Sequence, residues 1–335
     1  MKPPYIQTNS TIYLVAPSFG CTTTPYKERL ERAIIQLKEL GHTIIVGPNC
    51  FLAKGKCASN TPKKRAQEIM DAFESDADCI LSVGGGEMMY DILDYIDFDK
   101  IKKLPPKWFV GFSDNTNLTF TLTTLCDLET IYGTNAPHFH LPKLTYDTLA
   151  TYQMLMGKKS FHGYSKYEYD SKRDDQTDPF GDYQLNQTKI ITPVQYKGSF
   201  SGTLIGGNLD IMQYLCGTPY DRVSDYTKKH QEGIIFYFEA CDLSVLAIKR
   251  VLLQLKRAGW FHNIKGFLVG RPLCINQEFC GINHINAVTD ILKSYKVPIL
   301  LDIDLGHIAP SLPMKNGAFV TVTYEKENIY FKYKN

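Results

Sequence analysis

A serine between an apolar run and a polar turn is a candidate nucleophile, and WFVGFSDNTNLTF (108–120) offers one at Ser113. A turn from buried strand to helix lifts that side chain above the sheet edge and aims the next residue's amide at whatever the hydroxyl attacks. The usual elbow is G-x-S-x-G; here Asn115 takes the last place, so a helix cap by Ser113 or Asp114 is the competing reading. A serine nucleophile needs a base, and the base needs an orienting acid. Of the eight His residues, His307 in DIDLGHIAPSLPMKNGA (302–318) follows an apolar strand and is held between Gly306 and an irregular Pro-containing segment. Glu239 ends the apolar run IIFYFEACD (234–242), where a carboxylate is costly unless paired. A cap for the helix beginning near Asp242, or a reach to solvent, would also explain it. Asp242, Asp302 and Asp304 compete for the acid's role.

Three glycines, Gly84, Gly85 and Gly86, separate a buried strand from a helix in SVGGGEMM (82–89). They let the backbone approach a ligand, and the amides at a helix start favour an anion, either a bound phosphate or a transient oxyanion. Neither G-x-G-x-x-G nor G-x-x-x-x-G-K-[ST] occurs, which argues against the usual dinucleotide and triphosphate cradles. His138 and His140 in APHFHLP stand at i, i+2 without nearby carboxylate or Cys ligands, a weak metal pair, and no metal site is expected.

These residues need elements to hold them. TIYLVAP (11–17), HTIIVGP (42–48), DCILSVGGG (78–86) and KWFVGFS (107–113) read as buried strands. They alternate with helices, one with Thr24 as N-cap, Pro25 at N1 and Gly41 as its stop, one over 62–75, and one reaching about Tyr95. The alternation predicts an α/β domain over 1–150, a parallel sheet with helices on both faces, whose C-terminal strand ends carry function. The polar, turn-rich stretch 164–189 predicts a linker or mobile loop, bounded here as 151–190. Beyond it, 191–335 reads as a strand-rich α+β domain with helices near 208–216, 242–257 and 284–294.

At 335 residues the chain has room for two cores, and 44% hydrophobic with 21% charged residues is a globular composition. Net charge is +2, from 37 basic against 35 acidic residues, and no Lys/Arg cluster interleaves with aromatics, so no nucleic-acid partner is expected. No 18-residue apolar span occurs, and the N-terminal apolar run is only six residues long, so neither a membrane anchor nor a secretion signal is expected. Nine cysteines, scattered singly without a CxxC pair, fit reduced thiols in a cytoplasm.

VAPS (15–18), the GG-containing loop before LDYIDFD (93–99), GFSDNT (111–116), GTLIGGNLD (202–210), FEACD (238–242), GRP (270–272) and GHIAP (306–310) stand in the order and spacing of one family. The chain resembles the LD-carboxypeptidase family of serine peptidases from about residue 10 to 325. The resemblance implies a Rossmann-like N-terminal domain, a strand-rich C-terminal domain, and a triad of Ser113, Glu239 and His307 assembled across the domain interface. It also implies an oxyanion hole from the backbone amides of Asp114 and Gly86, with Gly85 the alternative donor, so that Asp114 matters for its N–H rather than its carboxylate. Glu87, Asn115 and Arg271 are candidate substrate contacts, Arg271 equally readable as a structural salt bridge. No cofactor is needed, a cytoplasmic homodimer is implied, and the substrate is a small peptide or peptide–nucleotide conjugate. The family takes murein tetrapeptides at the bond to terminal D-alanine, and a microcin C immunity branch takes peptidyl-aspartyl nucleotides; GGGEM and SDNT look nearer that branch. The reading from a different class is a non-hydrolytic nucleotide or phosphate binder using Gly84–Gly86.

Overall fold

The computed structural model describes residues 1–171 and 174–334, which fall into two compact units. One comprises 1–158 with 174–183, and the other 159–171 with 184–334. No helix among the described residues is long and apolar enough to cross a membrane.

In the first unit, strands β1 (Thr11–Val15), β2 (Thr43–Val46), β3 (Cys79–Ser82), β4 (Trp108–Gly111) and β5 (Thr130–Tyr132) alternate with helices α1 (Tyr26–Glu39), α2 (Pro62–Glu74), α3 (Phe98–Ile101) and α4 (Thr116–Cys126); α5 (Tyr146–Leu155) follows. The strands pair in parallel in the order β5-β4-β3-β1-β2. β3 and β4 are buried at every position, which is why CILS and WFVG read as unbroken apolar runs. Because β2 and β3 flank β1 on opposite sides, right-handed crossovers place α1 and α2 on opposite faces. The loops leaving β1 and β3 therefore diverge at a topological switch point, where open α/β sheets bind ligands.

Two local expectations shift. Helix α1 begins at Tyr26 with Pro25 as its cap residue, one place later than expected, because the Thr24 hydroxyl donates to the Glu28 carboxylate at 2.8 Å instead of capping a backbone amide. The helix expected up to Tyr95 is a 3-10 helix, Met89–Tyr95.

The second unit is built on one eight-stranded sheet. Its members are β6 (Ser160–His162), β9 (Thr192–Val194), β10 (Phe200–Asn208), β11 (Ile234–Glu239), β12 (Ile264–Gly270), β15 (Ile299–Ile303), β17 (Phe319–Glu325) and β18 (Asn328–Tyr333). Their order is β6-β18-β17-β10-β11-β12-β15-β9. Strands β10, β11, β12 and β15 are mutually parallel, connected through α6 (Leu209–Leu215), α7 (Val223–Lys229), α8 (Val245–Arg257) and α9 (His284–Leu292), and antiparallel strands flank them on both sides. The strand-rich expectation holds, with a parallel centre that sequence reading left unspecified. β11 is buried throughout, whereas β17 alternates buried with half-buried positions, as an antiparallel strand with one covered face should.

The stretch 151–190 is not a single linker. It begins within α5, passes through β6, and forms a short ribbon, β7 (Lys166–Tyr167) with β8 (Gln187–Thr188). Residues 172 and 173 of that expected linker lie outside the described residues. The remaining elements are the hairpin β13 (Glu278–Phe279) with β14 (Ile282–Asn283), and β16 (Met314–Asn316).

Candidate active site

β4 delivers Ser113 to a turn that a normal backbone would not make. Its φ is +63°, the left-handed region, and a 3-10 turn Ser113–Asn115 leads directly into α4. For a residue bearing a Cβ that conformation costs about 1–2 kcal/mol, so the surroundings must hold it. Part of the hold is the Ser113 N–H, which donates to the Tyr132 hydroxyl at 3.1 Å. The helix-capping alternative fails: the cap positions of the 3-10 turn and of α4 are Phe112 and Asn115, not Ser113 or Asp114.

The two side chains after Ser113 point inward, not to a substrate. Asp114 is 1% exposed; one carboxylate oxygen accepts from Ser18 Oγ at 2.5 Å and Met89 N at 3.0 Å, the other from Asn117 Nδ2 at 2.8 Å. Burial pushes its pKa up to about 6 against those hydrogen bonds, with Glu87 adding to the rise and Arg65 opposing it. Asn115, fully buried, donates to the carbonyls of Gly84 and Phe112, each at 2.9 Å, so it braces the turn rather than contacting substrate.

Within the Gly84–Gly86 loop glycine is required at Gly86 and fits tightly at Gly85, whereas Gly84 has room for a side chain. A Cβ on Gly85 would lie 3.1 Å from Ser113 Cβ. Gly86 has φ +147°, and a Cβ there would lie 2.3 Å from Ser18 Oγ and 2.7 Å from the Phe19 ring. The first amide of the following helix, Met89 N, is already taken by Asp114, so the chain supplies its own anion where a phosphate cradle would need an open amide. Glu87 is exposed.

In the second unit β11 carries Glu239 to a site with no solvent access. Its side chain is 0% exposed; Oε1 accepts from Asn208 Nδ2 at 2.8 Å, and Oε2 lies 2.9 Å from His307 Nδ1. Gly306 permits this approach: with φ +109°, a Cβ there would sit 2.8 Å from Glu239 Cβ. Burial alone would lower the His307 pKa, but the Glu239 charge and hydrogen bonds with Cys241 and Glu239 hold it well above 6.5. The capping role weighed for Glu239 falls to Ser244, which accepts from Ala247 N at 3.3 Å at the start of α8.

The competing acids are committed elsewhere. Asp302 faces His284 Nε2 at 3.1 Å, and Asp304 accepts from Arg271 at 2.7 Å and Lys189 at 3.2 Å. Asp242 Oδ1 accepts from the Cys241 thiol at 3.8 Å, and its backbone N–H donates to Asp210 at 2.8 Å. Arg271, considered as a substrate cation, is 1% exposed and spent on Asp304 and the Asp302 carbonyl, with its guanidinium 4.4 Å from the Tyr167 ring centroid. It is the structural salt bridge. His140 Nδ1 lies 2.9 Å from the Pro137 carbonyl, and among the described residues no group of three or more His, Cys, Asp or Glu is placed to hold a metal.

Sequence reading passed over Ser18, Asn208 and Asp210. Asn208 both caps α6, accepting from Ile211 N at 3.1 Å, and fixes Glu239, while Asp210 accepts the amides of Cys241, Asp242 and Leu243 and so pins the loop after Glu239. Ser18 and Asn208 lie in VAPS and GGNLD, both noted as motifs, but nothing local names their partners.

Models of the LD-carboxypeptidase N-terminal and C-terminal domains match residues 12–133 and 201–322. The chain belongs to the LD-carboxypeptidase family. Similar proteins include the Microcin C7 self-immunity protein MccF of Escherichia coli, 26% identical over 337 residues, 95% of this chain and 92% of that protein. The "Probable murein peptide carboxypeptidase" of Bacillus subtilis strain 168 is 26% identical over 326 residues, 95% of this chain and 90% of that one. In solved structures, MccF in complex with aspartyl sulfamoyl adenosine aligns with a TM-score of 0.83 at 21% identity, covering 100% of this chain and 99% of that one, a likeness of fold. Within this LD-carboxypeptidase family member, Ser113 falls inside the first matched domain and Glu239 and His307 inside the second.

Proposed function

We propose that the protein is a serine-type carboxypeptidase that cleaves a C-terminal amide bond, with Ser113 as nucleophile, His307 as general base and Glu239 as the acid that orients it. The observation that carries this reading is the 2.9 Å contact between His307 Nδ1 and the fully buried Glu239 carboxylate. A carboxylate on Nδ1 fixes the tautomer whose Nε2 can accept a proton. In the reaction, Nε2 takes the Ser113 proton and Oγ adds to the scissile carbonyl. The backbone amides of Asp114 and Gly86 stabilise the resulting oxyanion, Gly85 being the other candidate donor. His307 then gives its proton to the leaving nitrogen, and water clears the acyl-enzyme by the same steps. The left-handed Ser113 backbone supports the reading, because strain of that kind persists where it is held for use.

The substrate shares one chemistry across two sources, a peptide whose C-terminal amide joins it to D-alanine or joins its terminal aspartate to a nucleotide-like group. The microcin-like and murein relatives stand equally close in identity, so both go into one assay. Purified protein is incubated with murein tetrapeptide and with a peptidyl-aspartyl nucleotide amide, and release is followed by mass spectrometry. Cleavage of at least one, abolished in Ser113→Ala with an unchanged circular dichroism spectrum, is expected; turnover surviving in Ser113→Ala sinks the assignment. The free cysteines support a reducing cytoplasm as its compartment, and the family resemblance a homodimer, which light scattering tests.

A further inference from the structure

The Asp114 carboxylate does work that its backbone role does not explain. Two consecutive residues after Ser113 grip the glycine loop at its two ends. Asn115 holds the entry through the Gly84 carbonyl at 2.9 Å, and Asp114 holds the exit through Met89 N at 3.0 Å. The same Asp114 oxygen fixes Ser18 Oγ at 2.5 Å, and Ser18 Oγ is the atom against which Gly86 packs with no room for a Cβ. Phe19 N closes the circuit by donating to the Gly85 carbonyl at 3.1 Å. The loop's register relative to Ser113 is thus set by Asn115 at Gly84, by Phe19 at Gly85 and by Met89 at the exit, and the last of these shares the buried Asp114 carboxylate with Ser18, the neighbour of Phe19.

We infer that Asp114 is a positioning residue: its ionised side chain clamps the Gly84–Met89 loop and the Ser18 turn in the arrangement that lets a loop amide reach the oxyanion, and its protonation releases that clamp. The charged form suits its surroundings, since it accepts from three donors: Ser18 hydroxyl, Met89 amide and Asn117 amide. A neutral carboxyl carries a proton of its own: on Oδ2 it turns the Ser18 hydroxyl from donor into acceptor and leaves the Met89 amide a weaker, uncharged acceptor, and on Oδ1 it meets the Asn117 amide with a second donor. The ionisable groups that bear on it are Glu87, exposed and raising its pKa, and Arg65, which lowers it and is itself paired to Asp91 at 2.7 Å. With the pKa near 6, the switch lies just below neutral pH.

The inference rests on the proposed serine mechanism for its effect on rate, but the clamp itself is measurable without turnover. Asp114→Asn reproduces the protonated state, being neutral and of the same shape. Hydrogen-exchange protection factors for residues 84–89, corrected for intrinsic rates, are compared in wild type, Asp114→Asn and Ser18→Ala at several values between about pH 5 and 7.5. Protection in Asp114→Asn at the upper end should fall at least about tenfold, with Ser18→Ala falling in the same direction. Wild-type protection should drop towards the variant's value as the pH passes through about 6, while Asp114→Asn stays flat. Equal protection in wild type and Asp114→Asn, or the same pH response in both, overturns the clamp. Turnover separates this from the mechanism: kcat should fall at least about tenfold in Asp114→Asn with KM within twofold. If Ser113→Ala remained active the serine reading would fall, and the exchange data would still decide the clamp.

Discussion

His307 Nδ1 lies 2.9 Å from a Glu239 oxygen that has no solvent contact, while the other Glu239 oxygen is held by Asn208. Removing the charge while keeping the shape isolates its contribution. In Glu239→Gln the side-chain oxygen can keep accepting from Asn208, and the new amide then donates to Nδ1, which leaves Nε2 carrying the proton and unable to act as base. By analogy with the aspartate-to-asparagine change in serine-protease triads, kcat should fall about 10³- to 10⁴-fold. Steady-state kinetics on whichever substrate is cleaved decides it; a loss under tenfold would remove Glu239 from the mechanism.

The same pair predicts a pH profile. The imidazole pKa is raised above 6.5 in the fold, so the pairing contributes its full stability below that unfolded value and loses it as pH rises through the folded one. In the proposed mechanism catalysis runs the opposite way, because only a neutral imidazole can take the nucleophile's proton. The limb of kcat/KM governed by His307 should therefore rise at a pH above 6.5 and move to lower pH in Glu239→Gln, on a much lower plateau. A limb that stays in place in the variant contradicts the assignment.

What the sequence disclosed and what it hid follow from range. Runs such as WFVG and IIFYFE announce strands covered on both faces, and Ser113, Glu239 and His307 stand out because each interrupts or follows such a run. Asp114 could not be read in full, since its partner Ser18 is 96 positions away, and Asn208 could not be tied to Glu239, 31 positions away. Arg271 was ambiguous for the same reason, its anion lying 33 residues further along. The β7–β8 ribbon escaped because two-residue strands carry no period. Parallel pairing at the centre of the second sheet was hidden because an apolar run says that a strand is buried, not which neighbour it takes.

Gly86 tests the oxyanion proposal from the backbone. At φ +147° a side chain is strained, and a methyl would lie 2.3 Å from a Ser18 hydroxyl that Asp114 holds and that cannot readily swing aside. Gly86→Ala should displace the loop amides and lower kcat by about 10²- to 10³-fold, the cost of one oxyanion donor, while the melting transition survives. Retained turnover would shift the donor to Gly85 or away from the loop altogether.

Arg271 offers a prediction that separates a buried ion pair from a substrate contact. Asp304 is 0% exposed and faces two cations, Arg271 at 1% and Lys189 at 3% exposure. Asp304→Asn leaves both positive charges buried without their anion, which typically costs about 3–5 kcal/mol. Denaturant unfolding should show a loss of that order, and Arg271→Gln should likewise destabilise, though less, because it leaves the buried Asp304 charge with Lys189 alone. A cation that recognised a substrate carboxylate would behave in reverse, raising KM while leaving the unfolding midpoint in place. Observing that reverse pattern in Arg271→Gln would return Arg271 to the substrate site.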